Sequence, residues 1–467
     1  MRPLELALAG VCALAVLFPA VTGKRSPRGL MALVLVAVLA AQLIIEGYRW
    51  QLPLLYVVAL GLALGDVFSV ERELVWWRRL SRPILGLVGV AVMILPAILL
   101  PVPEFPAPDG PFAVGTTTIQ LSFPDREEPY GPNPGQTGRR VMVQIWYPAE
   151  VAAGSDQVTW NPDLDVVGPA ASHRLGLPGF FLDHTIYSNA HAIPSASPVE
   201  GTFPVVIRSH AYGGFRLDDL NQLESLASAG LVVLSVDHTY ASAAVRFPDD
   251  TVYELDPAAI PDPATLEDED AYQEAITTLN KTMDDDLVGV VDALAVGAAG
   301  PFGDLAEHAD LGLLGVFGLE AGGGAAIRFC LTDVRCRAVL GMDAWVEPVP
   351  DRIMATEAQV PMLFMRSEEW QATENDGRLR GLSERSASVT YWIGIDGAEE
   401  NDFTFVPLLS PVAGRFGLKG PIPPERILPI IDRYLTGFFE TVLLGTGSAA
   451  VESSPYPEVT VEIIDNR

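Results

Sequence analysis

The sequence predicts a doubly wound α/β domain with a mostly parallel sheet, preceded by four transmembrane helices. From residue 141 onward, nearly continuous apolar runs of strand length alternate with helix-compatible stretches, as strands buried on both faces of a parallel sheet require. Before residue 103, four apolar stretches each approach the ~20 residues that a helix needs to cross a bilayer. Between the two signatures the charge balance changes sign. Residues 1 to 102 hold nine Lys/Arg against five acids, so the remainder carries about −33 against a whole-chain charge of −29.

The four apolar stretches are Leu4 to Val21, Gly29 to Ile45, Leu52 to Val70 and Ile84 to Val102. One signal peptide does not explain a pattern that recurs, and the first stretch lacks a small-residue cleavage site. Asp66 falls near the end of the third, a place that favours the interface over the bilayer centre. The connections Gly23 to Arg28 and Glu71 to Arg82 carry three and four Lys/Arg, and the latter adds Trp76 and Trp77. The positive-inside rule puts both connections in the cytoplasm and both termini outside. The expected location is the cell membrane, multi-pass, with the large domain extracytoplasmic and the membrane as an integral partner. The Pro-rich run PVPEFPAPDGPF at 101 to 112 cannot continue a helix. The expected organisation is a membrane region at 1–102, a linker at 103–114 and an extracytoplasmic domain at 115–467.

Within that domain, strands are expected at Val141 to Tyr147, Pro204 to Ser209, Leu231 to Asp237, Leu311 to Phe317, Ala338 to Asp343, Val360 to Arg366 and Val389 to Ile395. Helices are expected at Leu217 to Ala229, Glu269 to Ala298, Glu320 to Leu331 and Pro424 to Leu444, the last with Pro424 and Glu425 suited to its first turn. The long intervals Val151 to Gly201 and Phe247 to Asp268 are candidate lids. The acid runs Glu267-Asp-Glu-Asp and Asp284-Asp-Asp read as a helix start and a solvated helix face.

The acidic surface repels phosphates, which excludes nucleic acid as an expected partner. Cys330 and Cys336 bracket a short loop that permits a disulfide, and Cys12 lies in an apolar span. Six histidines are scattered, and no Cys/His cluster has metal-ligand spacing, so neither metal nor cofactor is expected. His210 and His238 read as framework residues at strand ends, His184 and His191 as packing in the candidate lid, and Trp345 and Phe403 as core or pocket-wall aromatics.

The stretch GVFGLEAGGG at 315 to 324 follows an apolar run and opens a helix-compatible stretch, as the G-x-S-x-G nucleophile turn of α/β-hydrolases does. Other stretches point the same way: Ser209-His-Ala-Tyr-Gly-Gly-Phe-Arg216, Val236-Asp-His-Thr-Tyr with Ala241-Ser-Ala, Leu340-Gly-Met-Asp-Ala-Trp345, and Glu400-Asn-Asp-Phe-Thr-Phe405. In this order, they resemble the platelet-activating-factor acetylhydrolase family and its dienelactone-hydrolase-like bacterial relatives, which are carboxylic-ester hydrolases with the α/β-hydrolase fold. The resemblance covers roughly residues 115 to 460 and omits the N-terminal stretches.

The resemblance implies a Ser-Asp-His triad, and here its positions hold Glu320, Asp343 and Glu400. Leu319 replaces the histidine of the elbow, and Phe405 the final aspartate of the histidine segment. A serine becomes nucleophilic when an imidazole takes its proton, and the aspartate orients that imidazole. Without serine and histidine, Asp343 has nothing to orient. A carboxylate nucleophile also needs a histidine to hydrolyse its ester intermediate, and the segment IDGAEENDF at 395 to 403 contains none. The family's oxyanion hole is made of backbone N–H groups, which the resemblance carries to Tyr212 and Ala321. A carboxylate at 320 is able to occupy that hole. The expected function is therefore a catalytically inactive relative that binds a lipid, an acyl ligand or a protein partner. The alternatives are an ester or lipid hydrolase working through a non-standard site around Glu320, and a structural or assembly membrane protein.

Overall fold

Valine, isoleucine and leucine dominate the centre of the chain, and the strands they form are buried along their length. Strand β4 (Phe203–Ser209) pairs in parallel with β5 (Val232–Asp237) on one side and β8 (Ala309–Leu319) on the other. The parallel run continues through β9 (Cys336–Met342), β10 (Met362–Ser367) and β11 (Thr390–Ile395). Antiparallel strands flank it: β2 (Gln136–Ala149) joins β5 and pairs with β1 (Ala113–Glu128), while β12 (Val459–Ile464) closes the far edge on β11. With the short β3 (Ile193–Pro194) on β1, the sheet has ten strands in the order 12-11-10-9-8-4-5-2-1-3. A two-stranded ribbon, β6 (Ala244–Arg246) and β7 (Val252–Glu254), stands apart. This computed structural model describes residues 1–22, 27, 29–68, 76–150, 158–262, 269–446 and 449–466.

Each of the seven expected strands overlaps an observed one, with ends that differ by one or two residues where they run past it. Strands β1 and β12 lie outside the expected set, because their half-exposed, charge-bearing sequences lack the continuous apolar signature. The expected helices are present at Leu220–Ser228, Glu269–Ala295 and Pro424–Phe439 in shortened form, the last followed by a π-turn at Glu440–Leu444, and at Ala321–Thr332 moved by one residue. Cys330 and Cys336 form a disulfide across the turn between the Ala321–Thr332 helix and β9. Only Asp285 of the Asp284-Asp-Asp run behaves as a solvated residue. Asp284 and Asp286 are buried on Arg328 and Arg139, which corrects the expected solvated face.

The chain divides into two compact units, one of Met1–Pro103 with Asp183–Thr185 and Leu409–Val412, the other of the remaining residues. In the first unit, helices cover Pro3–Thr22, Leu30–Ala41, Pro53–Phe68 and Trp76–Leu99. Among the described residues no helix is long and apolar enough to cross a membrane. This overturns the expected four transmembrane helices, and with them the integral membrane partnership and the multi-pass membrane location. The second helix has 12 residues and the third 16, about 18 and 24 Å at 1.5 Å per residue against a hydrocarbon core of ~30 Å. The first carries Glu5 in its opening turn and Pro19 within it. Sequence hydropathy counted these stretches as continuous, but in the second the α-helix ends at Ala41 and gives way to a π-turn, Gln42–Glu46. Polar groups also serve the interior of this unit. Glu5 and Arg49 form a fully buried ion pair at 3.0 Å. Asp66 is no interfacial acid: its carboxylate accepts the N–H groups of Gly29 at 3.1 Å and Ala32 at 3.2 Å, at the start of the second helix. Much of the two basic connections that set the orientation, 23–26, 28 and 71–75, lies outside the described residues, as do 151–157 of one candidate lid and 263–268 of the other.

Small residues set how closely the sheet's central turn can pack. A Cβ on Gly322 would stand 2.2 Å from the carbonyl oxygen of Ser209 and 2.5 Å from that of His210. Gly322→Ala should therefore destabilise the protein by about 3 kcal/mol. Gly377, in the helix Glu374–Glu384, has nothing within 4 Å of its virtual Cβ, so Gly377→Ala should be neutral or stabilising by up to ~1 kcal/mol. Urea unfolding midpoints of the two variants check both statements.

Candidate active site

At the carboxyl end of β8 the chain turns abruptly into the helix Ala321–Thr332, and the residue at the turn is Glu320, with φ +50° and ψ −114°. A side chain bearing a Cβ rarely takes a positive φ, and such strain persists only where the surroundings hold it. Here they do. The Glu320 N–H donates to Met342 O at 3.0 Å, while Glu320 O accepts from Trp345 N at 2.9 Å and Gly324 N at 3.0 Å. Gly318 leaves no room for a side chain, since its virtual Cβ lies 2.3 Å from the Gly322 backbone.

The Glu320 carboxylate does not project into open solvent. Its Oε2 accepts the N–H of Tyr212 at 2.9 Å, and the adjacent Ala321 backbone also favours its charged form. These are the two backbone donors that the sequence comparison assigns to an oxyanion hole. Burial raises the pKa of Glu320, and the two backbone groups and the Arg174 guanidinium oppose that rise.

Asp343 occupies the turn after β9, also at positive φ (+42°). It is 1% exposed; Oδ1 accepts from Ser367 N at 2.8 Å, and Oδ2 has no hydrogen-bond partner. Burial pushes its pKa well above the carboxylate range, and the charges of Glu400 and Glu369 add to the effect. Glu400 opens a short 3₁₀ turn, and its Oε2 accepts from the Trp370 indole N–H at 3.2 Å. Burial, then repulsion from Glu320 and Glu369, pushes its pKa up to about 8. Glu400 thus feels both other acids, and the three belong to one electrostatic neighbourhood. Among the described residues no group of three His, Cys, Asp or Glu side chains is placed to hold a metal ion.

Sequence reasoning missed Arg174. It ends the helix Leu164–Arg174, inside the interval read as a lid, and donates to Tyr212 O at 2.9 Å while lying over the Tyr212 ring. No local motif marks it; only the fold brings it to the turn. With Tyr212, Leu319, Glu400, Asn401 and Phe405 it bounds a cavity of about 80 Å³. At ~30 Å³ per water that is room for two or three molecules, far below the ~300 Å³ at which ligand pockets begin.

His210 and His238 are framework groups. His238 donates through Nδ1 to Asp286 at 2.9 Å and accepts at Nε2 from the Ser209 hydroxyl at 2.9 Å. His210 donates through Nδ1 to Ala211 O at 2.7 Å, and its Nε2 accepts from His238 N and the Ser242 hydroxyl. All four side chains of this Ser-His-Asp and His set are 0% exposed, so no substrate reaches them. Burial lowers the pKa of both imidazoles, for His210 with help from the charges of His238 and Arg208. Trp345 and Phe403 are core aromatics.

Known proteins share this arrangement of strands and turns. Residues 101–444 match the family described as platelet-activating factor acetylhydrolase, isoform II. The platelet-activating factor acetylhydrolase of Gallus gallus is 23% identical over 375 residues, covering 72% of this chain and 83% of that protein. The Bos taurus protein of the same name is 23% identical over 364 residues, covering 72% and 77%. Among solved structures, a ferulic acid esterase from Streptomyces cinnamoneus superposes with a TM-score of 0.61 at 25% identity, covering 77% of this chain and 99% of the esterase. The fold is thus that of an α/β esterase. The family match takes in Tyr212, Glu320, Asp343 and Glu400 alike, and the chain belongs to the platelet-activating factor acetylhydrolase family.

Proposed function

We propose that this chain is a non-hydrolysing member of its family, which acts by binding a small acyl or lipid-derived group or a protein partner. One observation carries the reading: the Glu320 carboxylate accepts the N–H of Tyr212 at 2.9 Å, with the Ala321 backbone also favouring its charged form. A hole that stabilises a developing oxyanion must be open to it, and here a resident carboxyl group fills it. The position of the family's imidazole holds Glu400, whose pKa near 8 keeps it largely protonated at neutral pH. A protonated carboxyl does not take a proton from a nucleophile. The cavity of about 80 Å³ supports a small occupant over a complete lipid chain.

A second reading has its own support. A carboxyl group titrating near 8 beside a second acid is poised for acid–base work, which favours hydrolysis dependent on Glu320 and Glu400. Hydrolysis of short aryl esters and a short-acyl phospholipid by the full-length protein separates the two. The expected result is no turnover above buffer. Turnover that disappears in Glu320→Ala would overturn the non-hydrolysing reading. The double variant Glu320→Ser/Glu400→His, which clears the hole and supplies nucleophile and base beside Asp343, should gain measurable esterase activity, while Glu320→Ser alone should gain little.

Glu400 also sets a pH dependence of stability. Its carboxyl binds a proton more tightly in the folded chain, with a pKa of about 8 against an ordinary 4.5. The folded state is therefore favoured below pH ~4.5 and progressively loses that advantage as pH rises through 8. Thermal unfolding between pH 5 and pH 8 should show Tm falling more steeply in the wild type than in Glu400→Gln; identical slopes would remove Glu400 as a source of the effect.

A further inference from the structure

A second cavity, about 190 Å³, opens between the β1–β2 turn and the start of the β6–β7 ribbon. It has room for about six water molecules at ~30 Å³ each, and it is more than twice the volume of the one beside Glu320. Its charged walls are neutralised from within. Arg140 donates to Asp249 at 2.9 Å and to the Tyr253 hydroxyl at 3.2 Å, and Glu128 accepts from Arg139 at 2.7 Å. No unspent charge therefore faces a ligand from these two residues.

What remains is neutral and polar, with aromatic faces. Tyr130 lines the cavity 6% exposed, and its hydroxyl has no hydrogen-bond partner. The turn residues Asn133 and Gln136 present side-chain amides that take no part in the protein's own hydrogen bonds among the described residues. The rings of Tyr240 and Tyr253 form an aromatic corner, 5.0 Å between centroids at 49°. Tyr240 is held at φ +65°, where a bulky residue is strained. Gly131 keeps that ring in place, since its virtual Cβ would stand 2.3 Å from the phenol oxygen.

Amide and hydroxyl groups set around aromatic faces, without net charge, match a compact, neutral, polyhydroxylated ring. We propose that this cavity is a binding site for a single sugar ring, separate from the elbow and independent of whether the elbow hydrolyses. The ring is available either as a free monosaccharide or as the end of a glycan, and the shared chemistry is the neutral pyranose.

Saturation-transfer NMR on the full-length protein tests this, using glucose, galactose, mannose and N-acetylglucosamine, each as the free sugar and as the methyl glycoside. At least one pyranose should receive saturation at millimolar concentration. The exposed double variant Asn133→Ala/Gln136→Ala, which leaves the core untouched, should weaken that binding about tenfold or more, and Tyr240→Ala should abolish it. A signal from the methyl glycoside equal to that of the free sugar identifies a glycan end, and a signal from the free sugar alone identifies a monosaccharide. No saturation of any pyranose, or saturation unchanged in the Asn133/Gln136 variant, overturns the proposal, as does binding of glycerol with equal strength.

Discussion

The carboxylate of Asp286 ties together the strands that lead to the Glu320 turn. It bonds Arg139 from β2 through two oxygens, Arg126 from β1 at 2.9 Å and His238 at the end of β5. Burial alone would raise its pKa, but the Arg139 guanidinium dominates and holds the carboxyl far below the usual range. Through His238 the same anion reaches Ser209 at the end of β4, and through His238 N it reaches His210, which braces the backbone at Ala211. The next residue is Tyr212, whose N–H meets Glu320. Removing one partner from such a buried, fully bonded ion pair leaves an uncompensated charge, at about 3–5 kcal/mol. A helix, four strands and the loop beyond them are thus registered to one ionised group.

Against this fixed frame, the Glu320 carboxylate meets a ready-made backbone donor, the N–H of Tyr212. Backbone N–H groups survive any side-chain substitution, so the Tyr212 N–H is available to whatever residue stands at 320. An acid placed there becomes a ligand of its own protein. The surrounding charges follow from the same crowding: Glu400 and Glu369 bear on Asp343, Glu320 and Glu369 bear on Glu400, and protonation lowers the repulsion. The charge of Arg174 reaches both Glu320 and Glu400.

The central strands were legible because burial on both faces demands a continuous apolar run, and the elbow because Gly318 and Gly322 are steric requirements written as residues. Chemistry that depends on long-range placement was not. Arg174 carries no local signature, and the acid run at 284 to 286 looks like a solvated face until α-helical spacing turns Asp284 and Asp286 inward. The N-terminal stretches illustrate the opposite failure. Hydropathy sums over a window and cannot see that Gly47 ends one helix, that Asp66 caps another, or that Glu5 and Arg49 pair in the interior.

The two residues held at positive φ on this face, Glu320 and Asp343, share a consequence. Their turns are laced back to back: Glu320 N–H binds the carbonyl just before Asp343, and Glu320 O receives the N–H two residues after it. Neither turn can relax alone, because relief at one would break the hydrogen bonds that restrain the other. The pair behaves as a single mechanical latch, so that mutational effects at the two positions are intrinsically non-additive.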